Sequence, residues 1–367
     1  MRAYKTVSSS LKVYSSWSNV KKITAKPKIP GKLTVSDSYS CTNNSITINW
    51  SKVANATGYK IYRYNGSKYV LIKDITSGST TKYTDKNLSA NTSYKYKIRP
   101  YSKNVTGTYY GTSGVKKLAT KSNDTLYYIS SYSYVYNTSY EASGSVSGSS
   151  YYTGCYDPHY EGYYVINYKS EKKLIKKSNA SIRSNATVLQ TGAIGQYGGS
   201  IAGYSACGPT AVAILVNSEK NARWSKDALI LYSERNSLND QGSLRGGGGM
   251  TAPMLLKLIS GYSDGKYSAK NIYSSTSNKT SGIKSQIDSG HRVLVVTCYR
   301  SSVITSGGGR HFVVVCGYEY IGGVLYFYYA DPYYGNGPRS LRRVSAYTLT
   351  TSMANVNNEP KTMIVLK

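Results

Sequence analysis

The stretch Tyr204-Ser205-Ala206-Cys207-Gly208-Pro209-Thr210-Ala211-Val212-Ala213-Ile214-Leu215-Val216-Asn217 sets a cysteine at the mouth of a helix and constrains this chain more than any other. Pro209 has no N–H to lose and a φ already suited to a first helical turn, and the apolar run 211–216 continues as a buried helix. Cys207 therefore stands at or just before the helix N-terminus. Unpaired backbone N–H groups and the positive end of the helix dipole stabilise a thiolate there, lowering the thiol pKa from about 8.5. Gly208 leaves room beside the sulfur for a substrate carbonyl. A lone cysteine before a helix is more often inert core, so its partners decide the matter.

The chain has three histidines, and the search for a base is short. His311 opens His311-Phe312-Val313-Val314-Val315-Cys316-Gly317-Tyr318, a β-branched run that reads as a buried strand. Val324-Leu325-Tyr326-Phe327-Tyr328-Tyr329-Ala330-Asp331 follows after the turn signal Gly322-Gly323. A hairpin turning near 321–323 places residue 311 opposite roughly 330 to 334, so Asp331 ends where His311 begins. A carboxylate beside an imidazole fixes its tautomer and steadies the imidazolium, which is the orienting role in a nucleophile-base-orienter triad. Gly307-Gly308-Gly309 allows a loop to approach closely. An acyl-transfer intermediate also needs donors for its oxyanion. The Cys207 N–H supplies one, and Gln190 or Gln196 supplies the other. Gln190, in Thr187-Val188-Leu189-Gln190, is preferred because a strand-like run gives its side chain a fixed base.

These residues resemble the papain-like cysteine peptidases of the bacteriocin-processing type, in the broad secreted branch without a transporter. The resemblance rests on Gln190, Gln196-Tyr197-Gly198-Gly199, Ala206-Cys207-Gly208-Pro209-Thr210, His311 to Val315 with Gly317-Tyr318, and Ala330-Asp331-Pro332. It covers residues 181–367 and implies an α+β peptidase fold. It also implies Cys207 as nucleophile, His311 as base, Asp331 as orienter, Gln190 in the oxyanion hole, and hydrolysis of peptide bonds in a peptide or protein substrate. The spacing from Gln190 to Cys207 is longer than in the shortest members.

Before this region, residues 28–120 alternate with period 2 in Ile46-Thr47-Ile48-Asn49-Trp50 and Tyr94-Lys95-Tyr96-Lys97-Ile98, with turn signals at Asn65-Gly66 and Ser77-Gly78. That is a β-sandwich pattern. It is similar to a fibronectin type III domain, with Pro30 opening it, Trp50 as the core tryptophan, and Leu88 with Tyr94 at the tyrosine corner; a spacer role is expected. Residues 1–27 read as the ending of a preceding copy, because Arg2-Ala3-Tyr4, Tyr14 and Val20-Lys21-Lys22-Ile23-Thr24 answer Arg99-Pro100-Tyr101, Tyr109-Tyr110 and Val115 to Thr120. The expectation is therefore a piece of a longer secreted protein whose signal sequence lies outside the chain. Residues 121–180, rich in Ser, Tyr and Asn, read as a linker or arm. The expected fold class is multidomain: an all-β fibronectin type III-like sandwich followed by an α+β papain-like peptidase domain.

The net charge of +29 draws polyanions, anionic cell-wall polymers among them. Without zinc-finger spacing or an RNA-binding signature, no specific nucleic-acid recognition is expected. Aromatic content is 41 Tyr against 2 Phe, which suits exposed β surfaces and extracellular contact faces. No apolar run reaches the roughly 20 residues of a transmembrane segment. Sandwich modules are common in secreted proteins, so an extracellular or cell-surface location is expected. Cys155 and His159 stand at a metal-ligand spacing without a second pair, and neither a metal nor a cofactor is expected. Two other classes remain open: a surface-binding protein with an inert peptidase fold, and a transglutaminase-like acyltransferase, in which Cys, His and Asp follow the same order.

Overall fold

The computed structural model describes residues 4–16, 28–168, 171–192, 194–197, 201, 205–240, 249–300, 303–304, 309–333, 341–356 and 361–367. Readings placed on residues 2–3, 20–24, Gly198-Gly199, Tyr204 and Gly307-Gly308 lie outside the described residues. The chain divides into two compact units, Met1–Thr120 and Lys121–Lys367.

The first unit begins with a hairpin of β1 (Tyr4–Ser8) and β2 (Leu11–Tyr14), which pairs Tyr4 with Tyr14. Eight further strands follow: β3 (Ser40–Cys41), β4 (Ile46–Asn49), β5 (Gly58–Tyr64), β6 (Tyr69–Ile75), β7 (Lys82–Asp85), β8 (Ser93–Asn104), β9 (Gly107–Tyr110) and β10 (Gly114–Ala119). They form two antiparallel sheets, β3-β4-β7 and β10-β8-β5-β6, with β9 on β8. The alternating residues Ile46, Ile48, Tyr59, Ile61, Tyr96 and Ile98 point inward around Trp50. Two tyrosines use their polar ends to pin this core. The Tyr96 hydroxyl donates to Asp85 at 2.8 Å, and the Tyr94 hydroxyl accepts the Ser89 N–H at 2.8 Å.

The second unit opens with a sheet where a linker was expected. Strands β11 (Thr125–Ile129), β12 (Ser133–Tyr136), β13 (Ala142–Val146), β14 (Ser150–Cys155), β15 (Tyr163–Tyr168), β16 (Glu171–Lys176) and β17 (Ser181–Ile182) make a seven-stranded sheet in the order β13-β12-β16-β15-β14-β11-β17. The linker reading fails for a physical reason. Few aliphatic residues occur here, but Tyr127, Tyr152 and Tyr168 are buried with Ile129, Val135, Val146, Ile166 and Ile175, so tyrosine supplies the apolar area. The cluster 172–177 lies mainly on β16, where Leu174 and Ile175 are buried between the half-buried Lys173 and the exposed Lys176.

The remainder is a second antiparallel sheet covered by helices on both faces. Its strands are β18 (Thr187–Val188), β19 (Ala269–Asn271), β20 (Val293–Arg300), β21 (Val303–Ile304), β22 (Gly309–Ile321), β23 (Val324–Ala330), β24 (Arg342–Ser345) and β25 (Met363–Leu366). The order is β19-β25-β20-β22-β23-β24, with β18 on β22 and β21 on β20. The helices are α1 (Cys207–Lys220), α2 (Lys226–Arg235), α3 (Ala252–Tyr262), α4 (Lys279–Asp288) and α5 (Ala346–Ala354). Leu294, Val296, Phe312 and Val314 face α1, α2 and α3, while Val293, Val295, Val313 and Val315 face α4 and α5. A sheet buried on both faces needs apolar residues at every position, which is why β20 and β22 read as unbroken runs. Among the described residues no helix is long and apolar enough to cross a membrane.

If residues 121–182 are a packed sheet, Ile166→Ala should destabilise the second unit by about 2–5 kcal/mol in a denaturant titration. An intact protein should also resist tryptic cleavage at Lys173 and Lys176; rapid nicking there would mean that the sheet is not formed.

Candidate active site

Cys207 is the first residue of α1, and the first helical hydrogen bond closes from the Thr210 N–H to the Ala206 carbonyl at 3.1 Å. The N–H groups of Cys207 and Gly208 precede that bond and have no partner within the helix, as at any helix start. Gly208 sits 3.1 Å, measured from an added Cβ, from a Leu255 methyl, so a side chain there would press on the core beneath the cysteine. His311 is the third residue of β22 and is buried.

Asp331 reaches His311 because of a single extra residue. From the turn outward, β22 and β23 pair Ile321 with Val324 and Gly317 with Tyr328; beyond that, Val315 pairs with Tyr329 and Val314 with Ala330, leaving Cys316 as a bulge. Continued without the bulge, the register would set Asp331 opposite Val314 and on the face away from His311. With it, Asp331 falls opposite Val313, on the face that His311 shares. His311 Nε2 then lies 2.7 Å from Asp331 Oδ1. The same carboxylate oxygen accepts the Tyr333 N–H at 2.9 Å, and Arg342 Nη1 stands 3.5 Å from Oδ2.

With Nε2 committed to Asp331, Nδ1 is the nitrogen left for the sulfur. The Cys207 thiol is under the electrostatic influence of the His311 side chain first and of the Phe312 backbone and Arg310 after it. Burial by itself would raise the thiol; the His311 hydrogen bond and charge, the Phe312 backbone and the Arg310 charge outweigh it and hold Cys207 below the ordinary thiol range. Burial likewise opposes charge on His311, but the hydrogen bonds to Asp331 and Cys207 raise it to about 9. The pair is thus poised as thiolate and imidazolium. Other cysteines go the opposite way: burial pushes Cys316 up to about 12 and raises Cys155 and Cys298. Cys298 stands opposite Arg310 in the β20–β22 ladder, well along the strand from Cys316, and all five cysteines are free.

The structure separates Gln190 from this group. Its Nε2 donates to Asp124 Oδ1 at 2.9 Å, and its carbonyl accepts from the buried Arg292. It lines a cavity of about 1120 Å³ with Asn217, Glu219 and Trp224, at the C-terminal end of α1. Ten or more helical residues, about 15 Å, lie between that end and Cys207. Gln190 is the oxyanion donor preferred by sequence, but its side-chain amide is engaged by Asp124. Gln196, which is buried, lies with the catalytic-type groups instead. Its N–H donates to the Pro332 carbonyl at 2.7 Å, immediately after Asp331. Its side chain, Tyr333 and the charge of Cys207 all act on the Tyr197 hydroxyl, which burial raises first of all.

Three aromatic residues gather around the imidazole, and two of them, Tyr299 and Tyr333, were not singled out by sequence. The Tyr299 ring lies 4.4 Å from that of His311, Tyr333 lies 5.0 Å from Tyr299, and Tyr197 lies 5.3 Å from Tyr333. Their signal was present in the strand period, since Tyr299 is two residues beyond Thr297, which pairs with His311. Arg310, adjacent to the base, is held by Asp240. Elsewhere, His159 Nδ1 is 2.7 Å from Asp157 Oδ1.

Residues 188–352 match the model of the Peptidase_C39 like family, which marks this part of the chain as peptidase-like. A poly(3-hydroxybutyrate) depolymerase of Ralstonia pickettii is 42% identical over 57 residues, which is 16% of this chain and 10% of that enzyme. The chain therefore spans a small fraction of that relative. Among solved structures, FN3tt mut is 22% identical, covers 25% of this chain and 97% of its own, and has a TM-score of 0.21. A Fn3-like protein from Clostridium thermocellum is 23% identical over 25% of this chain and 92% of its own, with a TM-score of 0.18. The sixth fibronectin type III domain of a human protein is 17% identical over 27% and 90%, with a TM-score of 0.20.

Alkylation of Cys207 by iodoacetamide should set in well below the ordinary thiol range, at pH values where Cys298 and Cys316 stay unreacted. Asp331→Asn removes a charge that stabilises the imidazolium, so the His311 titration should move down from about 9. Peptide-resolved mass spectrometry across pH and the NMR titration of the His311 ring check these outcomes.

Proposed function

We propose that residues 181–367 form a cysteine peptidase of papain-like α+β arrangement, acting outside the cell or at its surface on peptide or protein substrates. One observation carries this reading: His311 Nε2 lies 2.7 Å from Asp331 Oδ1, and the His311 ring and the Cys207 thiol act on each other so that the thiol is lowered and the imidazole raised. The match of residues 188–352 to a peptidase family supports the same chemistry, and peptide substrates follow from it. The extracellular placement draws support from the tyrosine-rich sheets and the sandwich unit.

In this reading the Cys207 thiolate attacks the scissile carbonyl, and the oxyanion accepts hydrogen bonds from the Cys207 N–H and the Gln196 side-chain amide. The His311 imidazolium gives its proton to the departing amine. Water then attacks the thioester, His311 takes up its proton as general base, and the sulfur leaves as thiolate. Asp331 keeps the ring oriented with Nδ1 toward the sulfur throughout.

Cys207→Ala should abolish hydrolysis of a casein or peptide-library substrate while the protein remains folded. Gln196→Ala should lower kcat by about 10²–10³-fold, the usual worth of one oxyanion donor. Gln190→Ala should leave kcat close to wild type. Turnover retained by Cys207→Ala would reject the proposal, and equal losses from the two glutamine variants would reject the assignment of Gln196. A wild-type chain that neither hydrolyses peptides nor reacts at Cys207 would be an inert fold.

A further inference from the structure

We infer that the outward face of the five-stranded sheet in the first unit is a docking surface for a linear polyol-phosphate polymer. The inference stands independently of the peptidase reading.

Residues 28–120 carry fifteen Lys and Arg against three Asp. Each of those carboxylates is already engaged, Asp74 by Lys60, Asp85 by Arg63 and Asp37 by Lys116. On β8, Tyr96 and Ile98 point into the core, so Lys95, Lys97 and Arg99 stand together on the opposite face. None of the three has a carboxylate partner among the described residues. Lys117 of β10 is paired directly across from Lys95. Like charges at directly opposed positions destabilise a sheet, and an arriving polyanion would turn that repulsion into attraction.

The cations are also held in place. Lys97 Nζ lies 4.9 Å from the ring centre of Tyr62 and 4.6 Å from that of Tyr69, Lys95 Nζ lies 5.7 Å from Tyr64, and the Arg99 guanidinium lies 4.3 Å from Tyr110. Each contact fixes a long side chain before binding and reduces the entropy lost when an anion arrives. Lys97 and Arg99 further line a cavity of about 480 Å³ with Pro30, Tyr110 and Thr112.

Spacing and ring occupancy select the partner. Alternate residues of β8 recur at about 6.8 Å along the strand. A glycerol-phosphate chain has six backbone bonds per repeat, as many as two peptide residues, and its charges recur at about 7 Å when extended. A single-stranded nucleic acid has a similar repeat, but its bases seek aromatic faces on which to stack. Here those faces are taken by ammonium and guanidinium groups. A phosphate polymer without aromatic bases therefore fits the surface better.

The test uses the full chain and poly(glycerol phosphate), with oligo(dT) as the competing polyanion. Binding is measured from about 50 to 200 mM salt, and K97Q/R99Q should weaken it about tenfold while lowering the logarithmic salt slope by about two. The control K82Q/K86Q has the same net charge but lies on and just beyond β7, in the other sheet, and should bind as wild type. In the wild-type chain, the polymer should protect Lys95, Lys97 and Lys117 from amine acylation, which needs no variant to fold. No binding, an equal loss in the control, unprotected lysines, or tighter binding of oligo(dT) would each overturn the inference.

Discussion

The contact between His311 and Asp331 depends on one unpaired residue, and the candidate site depends on that contact. Cys316 adds a residue to β22 and shifts the register against β23, so that Asp331 comes onto the His311 face. Because side chains alternate along a strand, a one-residue slip would turn the carboxylate to the other face and leave the imidazole without its orienter. Gly317 follows at once, and an added Cβ there would meet the Thr187 carbonyl at 2.7 Å. The same short segment thus sets the register that joins His311 to Asp331 and admits β18, from which the chain proceeds toward Gln196.

Legibility in the sequence followed the range of the interaction. The helix start at Cys207 was legible because Pro209 and the apolar run act locally, and the β22–β23 pairing was legible because its turn lies between the two strands. Gln190 and Gln196 could not be ranked that way. They are only six positions apart, and their destinations are decided by remote partners: Arg292 and Asp124 hold the first, and the Pro332 carbonyl holds the second. The sheet over 121–182 was missed because serine and tyrosine were counted as polar. Its buried Tyr127, Tyr152 and Tyr168 show that a tyrosine ring can fill a core; the Tyr168 hydroxyl donates to the Ser145 carbonyl at 3.1 Å, while those of Tyr127 and Tyr152 are buried without a hydrogen-bond partner among the described residues.

Tyrosine does two jobs that phenylalanine would do less well. Inside the sandwich, Tyr96 fills the core and still satisfies the buried Asp85, and on the outer face of the same sheet Tyr62 and Tyr69 hold Lys97. The alternation of a strand puts these roles two residues apart or less, so one composition serves both packing and charge display. In this sheet, the chain's preference for Tyr (41) over Phe (2) serves both roles.

Concavity and chemistry fall at opposite ends of α1. The cavity of about 1120 Å³ lies at its C-terminal end, lined by Lys172, Glu219, Arg223 and Asp227 among others. Positive and negative groups are mixed there, and the thiol and imidazole with linked, opposed shifts lie at the other end. A helix makes this separation natural, since its N-terminus stabilises an anion and its C-terminus does not. A thiolate seated at Lys220 would face carbonyl groups rather than N–H groups, and no shape of cavity could replace what the first turn provides. The location of the candidate nucleophile is therefore fixed by the direction of the helix, and the volume of a cleft is a poor guide to it.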